Sequence, residues 1–180
     1  MNTNPVLRPL VDSWCERAVS TARQVGSTDS LVYVLVRRVV CGISRARWSE
    51  VEAWVAQARE LASTARDFRQ FEQGCSMQVN ALYYQGGFRR GIEVAHELER
   101  SARQRNAMQS AYWGPMLRAR CLVRLGRNAE VLGELEQVLP WFESHASTTE
   151  KLLLYGALAL ALLRSGQRER ALDVAARGWS

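Results

Sequence analysis

The pattern of apolar and polar positions predicts a chain built of α-helices. Small or apolar residues recur at i, i+4 and i+7, as in Val51, Val55 and Ala58, a spacing that places side chains on one helix face. β-branched runs are scarce outside residues 31–40. We therefore predict an all-α fold. The predicted helices span residues 8–24, 28–44, 47–64, 67–85, 88–104, 107–125, 128–143, 147–165 and 168–179.

A repeat of forty residues organises these helices. Gly86, Gly126 and Gly166 are forty residues apart, and Ala46 takes the same place in the first copy. A glycine there suits a helix that ends in a left-handed turn. Neighbouring positions agree, and one such column contains Val51, Gly91, Val131 and Ala171. We predict a single helical-repeat domain over residues 1–180, with units near 28–66, 67–106, 107–146 and 147–180 after a first helix at 8–24.

Proline interrupts the helical pattern twice. Pro115 and Pro140 both fall inside predicted helices, and proline removes a helical hydrogen bond. We expect a kink or a late start at the first, and a bent or shortened helix at the second.

The turns of the repeat resemble those of tetratricopeptide repeats. The resemblance rests on Gly86 to Ile92 (GGFRRGI), Gly126 to Leu132 (GRNAEVL) and Gly166 to Leu172 (GQRERAL). Each has a glycine, a residue five positions on that is small in the family, and then an aliphatic one. The match covers roughly residues 28–180. The period of forty exceeds the family's usual length, Val131 is bulkier than expected, and the consensus tryptophan and proline are out of register.

Longer repeats of this kind are similar to the helical arrays attached to bacterial signalling ATPases, nucleotide cyclases and transcription activators of the maltose-regulator type. The resemblance implies an α-solenoid of antiparallel helix pairs. It also implies a non-catalytic scaffold that binds a protein or peptide segment, as a regulatory or adaptor module of a bacterial signalling system. The alternative is a regulatory domain that senses a ligand or signalling peptide. No Walker loop accompanies the repeat.

Charge adds a third and weaker reading. The net charge is +6, which is compatible with nucleic-acid binding. However, Lys151 is the single lysine among 24 basic residues, and the arginines alternate with acidic residues instead of forming a block. Nucleic acid is therefore the least favoured partner.

Catalytic and metal-binding patterns are missing from the sequence. The cysteines at 15, 41, 75 and 121 lack metal-site spacing and predict small buried thiols in a reducing cytosol. His96 and His145 lack catalytic partners at suggestive spacing. The carboxylates of Glu93, Glu97 and Glu99 lie among arginines and predict a solvated, salt-bridged helix face. We expect neither an enzyme nor a cofactor.

Hydropathy favours a cytoplasmic protein. Residues 1–10 do not read as a secretory signal. The most apolar run, residues 152–163, is shorter than the roughly 20 residues that span a bilayer. The helix at 151–165 is apolar nearly all round and the next ends in Trp179. We expect this C-terminal edge to be covered by a second copy or by further chain.

The predicted partner-binding residues lie on the first helices of the two middle units. Aromatic side chains supply contact area, and arginine pairs with carboxylates, which favours an acidic segment. Asn80 and Arg120 fall where some tetratricopeptide domains hold a C-terminal carboxylate, although the lysines of that clamp are missing. The candidate residues are Asn80, Tyr83, Tyr84, Trp113, Arg120 and Arg124.

Simpler roles are open for several of these residues. Tyr83, and Met116 beside the set, could be packed between helices. Arg120 and Arg124 could pair with Glu130 or Glu134 on the adjoining helix.

Overall fold

The chain folds into helices joined by short turns. A computed structural model describes residues 8–178, and within that range it contains nine helices and no strand. The all-α prediction is confirmed. The helices are α1 (Arg8–Val25), α2 (Thr28–Ile43), α3 (Trp48–Thr64), α4 (Phe68–Gln85), α5 (Phe88–Gln104), α6 (Met108–Arg124), α7 (Asn128–His145), α8 (Thr148–Arg164) and α9 (Arg168–Arg177).

The predicted helix ends agree with the structure to within two residues, and of the alternatives expected at the prolines, the late start and the shortening do not occur. Helix α6 starts at Met108 and contains Pro115, and α7 runs to His145 through Pro140. Neither helix is delayed or shortened. Each proline stands well inside its helix, so many flanking hydrogen bonds remain, and Pro115 is itself buried among core residues.

Every helix begins twenty residues after the one before it. Seven of the eight connections between the described helices contain one left-handed residue. Glycine takes this conformation at Gly26, Gly86, Gly126 and Gly166, and other residues take it at Ala46, Arg66 and Asn106. The repeat of forty seen in the sequence thus contains two structurally similar steps.

Five of the left-handed turns, at Ala46, Arg66, Asn106, Gly126 and Gly166, close the helix end with the same pair of hydrogen bonds. After α2, the Arg47 amide donates to the Gly42 carbonyl at 3.1 Å and the Ala46 amide donates to Ile43 at 3.2 Å. This pairing is the Schellman motif, which satisfies carbonyls at the end of a helix. The helix end before residue 147 differs, because Ala146 is extended and Ser147 forms a capping box with Glu150.

The chain divides after Gln85 into two compact units. In the first unit, α1 packs on α2, while α2, α3 and α4 all contact one another. Two apolar clusters fill it. One contains Val19, Val32, Leu35, Val36, Ala58 and Ala62, and the other Val39, Val51, Val55 and Ala81.

In the second unit, each helix packs on the next from α5 to α9, and α6 also contacts α8. Its largest fully buried side chains are Leu98, Leu117, Leu122, Leu135, Phe142, Leu154 and Leu162. No helix within residues 8–178 is both long and apolar enough to cross a membrane. The predicted edge residue Trp179 lies outside the described residues.

Glycine allows close helix contact at the same place in both units. A Cβ atom at Gly74 would lie 2.8 Å from Cγ of Arg59, and one at Gly114 would lie 2.5 Å from Cβ of Glu99. Gly74 and Gly114 are forty residues apart, as are Arg59 and Glu99. The repeat therefore extends from the sequence to the detailed packing of α4 on α3 and of α6 on α5.

Candidate functional site

A groove in the first unit contains two of the predicted partner-binding residues. It has a volume of about 600 Å³ and lies where the end of α2 and the start of α3 meet one side of α4. Its lining is mostly apolar or aromatic. The lining residues are Val40, Ile43, Ser44, Trp48, Met77, Asn80 and Tyr84.

The polar and aromatic groups of this groove come from α4. The Asn80 amide Nδ2 donates to the Ser76 carbonyl at 2.9 Å, which orients the side chain along the helix. Tyr84 is 59% exposed. Tyr83 does not line the groove, but its ring meets that of Tyr84 edge-on with 5.4 Å between centroids. Such an edge-to-face pair favours a defined position for the exposed ring.

The other three predicted residues lie in the second unit and have different surroundings. The Trp113 indole donates to the Glu150 carboxylate, which also accepts the Ser147 amide at the start of α8. Trp113 is half-buried. Its bond to Glu150 helps to hold the capping box at the start of α8 in place. Arg124 is exposed, with its guanidinium 5.7 Å from the centre of the Phe88 ring. Arg120 is half-buried.

The acidic residues first considered as partners of Arg120 and Arg124 also bind other arginines. Glu130 pairs with Arg127 at 2.5 Å. Glu134 accepts from Arg118 at 2.8 Å. Met116, in contrast, is 4% exposed, so its packing between helices is confirmed.

A buried ion cluster around Arg118 was missed by the sequence reading. Arg118 is 6% exposed, and its guanidinium contacts Glu99 on α5 at 2.7 Å and Glu134 on α7 at 2.8 Å. The same guanidinium lies 3.1 Å from His96 Nδ1. The expectation that Glu99 belongs to a solvated face is wrong, since its side chain is only 15% exposed. Gly114 and Arg118 share one face of α6, but only the contact with α5 shows that this face is buried.

Electrostatics in this cluster favour the charged state of the carboxylate. Burial alone would raise the pKa of Glu99, but hydrogen bonds from Arg118 and Arg103 outweigh burial and lower that pKa. Burial and the neighbouring Arg118 charge lower the pKa of His96. The cluster joins α5, α6 and α7 and has a structural role.

A second groove, of about 310 Å³, lies between α8 and α9 in the second unit. Three of its seven lining residues are at positions equivalent to lining residues of the first groove. Leu160, Leu163 and Arg168 are each 120 residues after Val40, Ile43 and Trp48. Leu163 is 55% exposed and Leu172, also in the lining, is 62% exposed. The C-terminal edge described by the structure therefore presents an apolar surface.

The described residues contain no group of three or more His, Cys, Asp or Glu side chains that could hold a metal ion. Comparisons with protein-family models, curated proteins and solved structures found no match to this chain.

Proposed function

We propose that the chain is a tetratricopeptide-like α-solenoid of antiparallel helix pairs. The support is that helix starts, left-handed turns and one close helix contact all recur along the chain. Helices start at intervals of twenty residues, and left-handed residues recur between them. The equivalent placement of Gly74 with Arg59 and Gly114 with Glu99 adds a tertiary contact to the repeat. A quasi-regular series of helix pairs is the feature that gives repeat proteins extended binding surfaces.

We propose further that the protein is a non-catalytic scaffold that binds a protein or peptide segment, as a regulatory or adaptor module in a bacterial signalling system. The observation that carries this proposal is the first-unit groove. Trp48 and Tyr84 offer aromatic contact area, Met77 offers an adaptable apolar surface, and Asn80 adds an amide suited to a peptide backbone. The proposed occupant is an extended segment that places an apolar side chain in the groove.

The proposal is tested by selecting ligands from a random-sequence peptide library displayed on phage. Tyr84→Ala should weaken the binding of selected peptides by at least about fivefold, because truncating an aromatic anchor costs more than roughly 1 kcal/mol. Tyr33→Ala is the matched control, since Tyr33 is an exposed tyrosine (48%) of the same unit that does not line the groove. Equal affinities for the two variants, at unchanged melting temperature, would contradict binding in the groove.

A second contact is proposed for Arg120 and Arg124, which lie four residues apart on α6. Arginine pairs well with carboxylates, so two guanidinium groups at this spacing suit an acidic partner segment. Replacing both with alanine should weaken binding of an acidic partner segment by about 2 kcal/mol without changing the melting temperature. A large loss of stability would instead assign the pair to structure.

The alternative is a domain that senses a small ligand or signalling peptide. The volume of the first groove favours it, since about 600 Å³ lies within the usual range for small-molecule sites. A compound-fragment screen that follows Trp48 fluorescence in a chain whose other tryptophans are phenylalanine separates the two functions. Fragment binding without binding of library-selected peptides supports a sensor of a small ligand.

A further inference from the structure

Two of the four thiols meet across the contact between α1 and α2. Cys15 on α1 and Cys41 on α2 are half-buried. They lie between two ion pairs that join the same helices, Asp12 with Arg45 and Glu16 with Arg38, so the two thiols are neighbours across the helix contact. Cys75 and Cys121 are fully buried. The prediction of small buried thiols is therefore confirmed for Cys75 and Cys121 only. Cys15 and Cys41 are accessible and lie next to each other.

Charged and apolar contacts hold the two helices together on either side of this pair. The Glu16 carboxylate lies 3.6 Å from the Arg38 guanidinium. Asp12 accepts hydrogen bonds from Arg45 and, at 3.1 Å, from Arg47. One and two turns further along α1, Val19 enters the apolar cluster of the first unit and Ala22 is buried. The two thiols therefore face each other inside a helix contact that is anchored at both ends.

We propose that Cys15 and Cys41 form a reversible disulfide that makes the first unit sensitive to the thiol–disulfide balance of its surroundings. The co-reactant is a small disulfide such as glutathione disulfide. One cysteine thiolate attacks a glutathione sulfur, its S–S bond breaks, and one glutathione thiolate leaves. The second cysteine thiolate then attacks the protein sulfur of the mixed disulfide and releases the second glutathione.

The exchange balances in atoms and electrons. Each protein thiol gives up one proton, and each departing glutathione thiolate takes one up. The two protein sulfurs are oxidised by two electrons in total, and glutathione disulfide is reduced to two glutathione molecules. No metal or other cofactor is required.

The surroundings of Cys15 make this a slow response. Burial, with Cys41 next to it, raises the pKa of the Cys15 thiol, although the Arg38 charge opposes the rise. A small thiolate fraction slows the attack on a disulfide. Once formed, the bond encloses the segment between residues 15 and 41. It should lower the unfolding equilibrium constant of the first unit by about a hundredfold by restricting the unfolded chain.

The test uses the full chain in buffers with increasing ratios of oxidised to reduced glutathione. Remaining thiols are alkylated, and proteolytic peptides are assigned by mass. We expect one peptide pair joined through Cys15 and Cys41, with Cys75 and Cys121 still reduced and alkylated only after unfolding. The oxidised protein should unfold at higher urea concentration than the reduced protein, and the difference should disappear in dithiothreitol.

Cys15→Ser and Cys41→Ser should each abolish both the joined peptide and the shift in urea midpoint, while Cys121→Ala should retain both. Circular dichroism of each reduced variant confirms that it is folded. The proposal is overturned if folded wild-type protein carries only glutathione adducts, links two molecules, or keeps four free thiols at the most oxidising ratio.

Discussion

At the scale of single residues, the left-handed turns favour glycine over residues that carry a Cβ atom. A left-handed conformation costs a residue with a Cβ roughly 1–2 kcal/mol relative to glycine. Gly126 and Gly166 have φ values of 75° and 77°, whereas Ala46 has 53° without glycine's freedom. No atom lies within 4 Å of a Cβ built at either glycine, so the cost of substitution there comes from the backbone.

Replacing Ala46 with glycine should stabilise the protein by about 1 kcal/mol, because the strain at this turn is removed. Asn106→Gly is the control, since asparagine tolerates the left-handed region better than alanine and should gain less. Urea unfolding of both variants measures the difference. A loss of stability in Ala46→Gly would show that the turn is not left-handed in solution.

The reverse change should be costly. Gly126→Val and Gly166→Val should each destabilise by about 1 kcal/mol or more. Gly156 lies within α8, with no atom within 4 Å of an added Cβ, so Gly156→Val should cost less. The same urea measurement applies, and equal tolerance at all three positions would contradict the turn assignment.

At the scale of the helix, packing depends on where glycine permits two backbones to approach. Gly114 would place a Cβ 2.5 Å from the Glu99 Cβ and 3.1 Å from the Ala95 carbonyl oxygen. These neighbours are close to the backbone of α5 and cannot easily move. At Gly74 the nearest atom is Cγ of the flexible Arg59 side chain. The two equivalent glycines thus differ in how much their partner can adjust.

Gly114→Ala should therefore destabilise by about 2 kcal/mol, because the overpacking exceeds the gain in helix propensity. Gly74→Ala should cost less. Gly133→Ala is the control, because that glycine is helical, exposed and without a neighbour within 4 Å, and it should stabilise by up to about 1 kcal/mol. Thermal unfolding of the three variants should rank them in this order.

The buried cluster makes stability depend on pH in a defined direction. The folded pKa of Glu99 lies below its ordinary value of 4.5. Its ion pairs therefore stabilise the protein above that pH, and this contribution is lost as the pH falls through the folded pKa. Glu99→Gln should destabilise by about 2 kcal/mol at neutral pH, with the difference shrinking below pH 4.5.

Glu93→Gln is the matched control for this measurement. Glu93 is on the same helix and pairs with Arg90 at 2.6 Å, but both side chains are more than 60% exposed. Its loss should have little effect on stability. Urea unfolding from neutral to acidic pH compares the two variants, and a Glu99 effect that is independent of pH would contradict an ionised cluster.

The sequence predicted helix positions well because the apolar period and the turn glycines are local signals. It could also place Asn80 and Tyr84 together, since they are four residues apart on α4. It failed where the outcome depends on a partner helix. Neither the burial of Glu99 beside Arg118 nor the bond from Trp113 to Glu150 can be read without knowing which helices touch. The contact between Cys15 and Cys41 has the same origin.

At the scale of the whole molecule, the apolar groove between α8 and α9 is the feature most open to association. We expect self-association through this surface, with sedimentation velocity showing larger species at higher concentration. Leu163→Gln with Leu172→Gln should abolish it, because both side chains line the groove and are more than half exposed. Leu152→Gln, at a leucine 49% exposed on α8 but outside the groove, should not. A wild-type monomer at every concentration would contradict the expectation.

Helices that start at equal intervals and resemble one another can dock in the wrong order during folding. The close contact at Gly114 disfavours one such wrong arrangement, in which α8 packs on α5 in place of α6. The residue forty positions later is Leu154. If α8 took the position of α6, this leucine would clash with α5, because even a Cβ atom at Gly114 would lie 2.5 Å from Cβ of Glu99. Gly114 therefore allows α6 to pack on α5 and disfavours α8 in the same position.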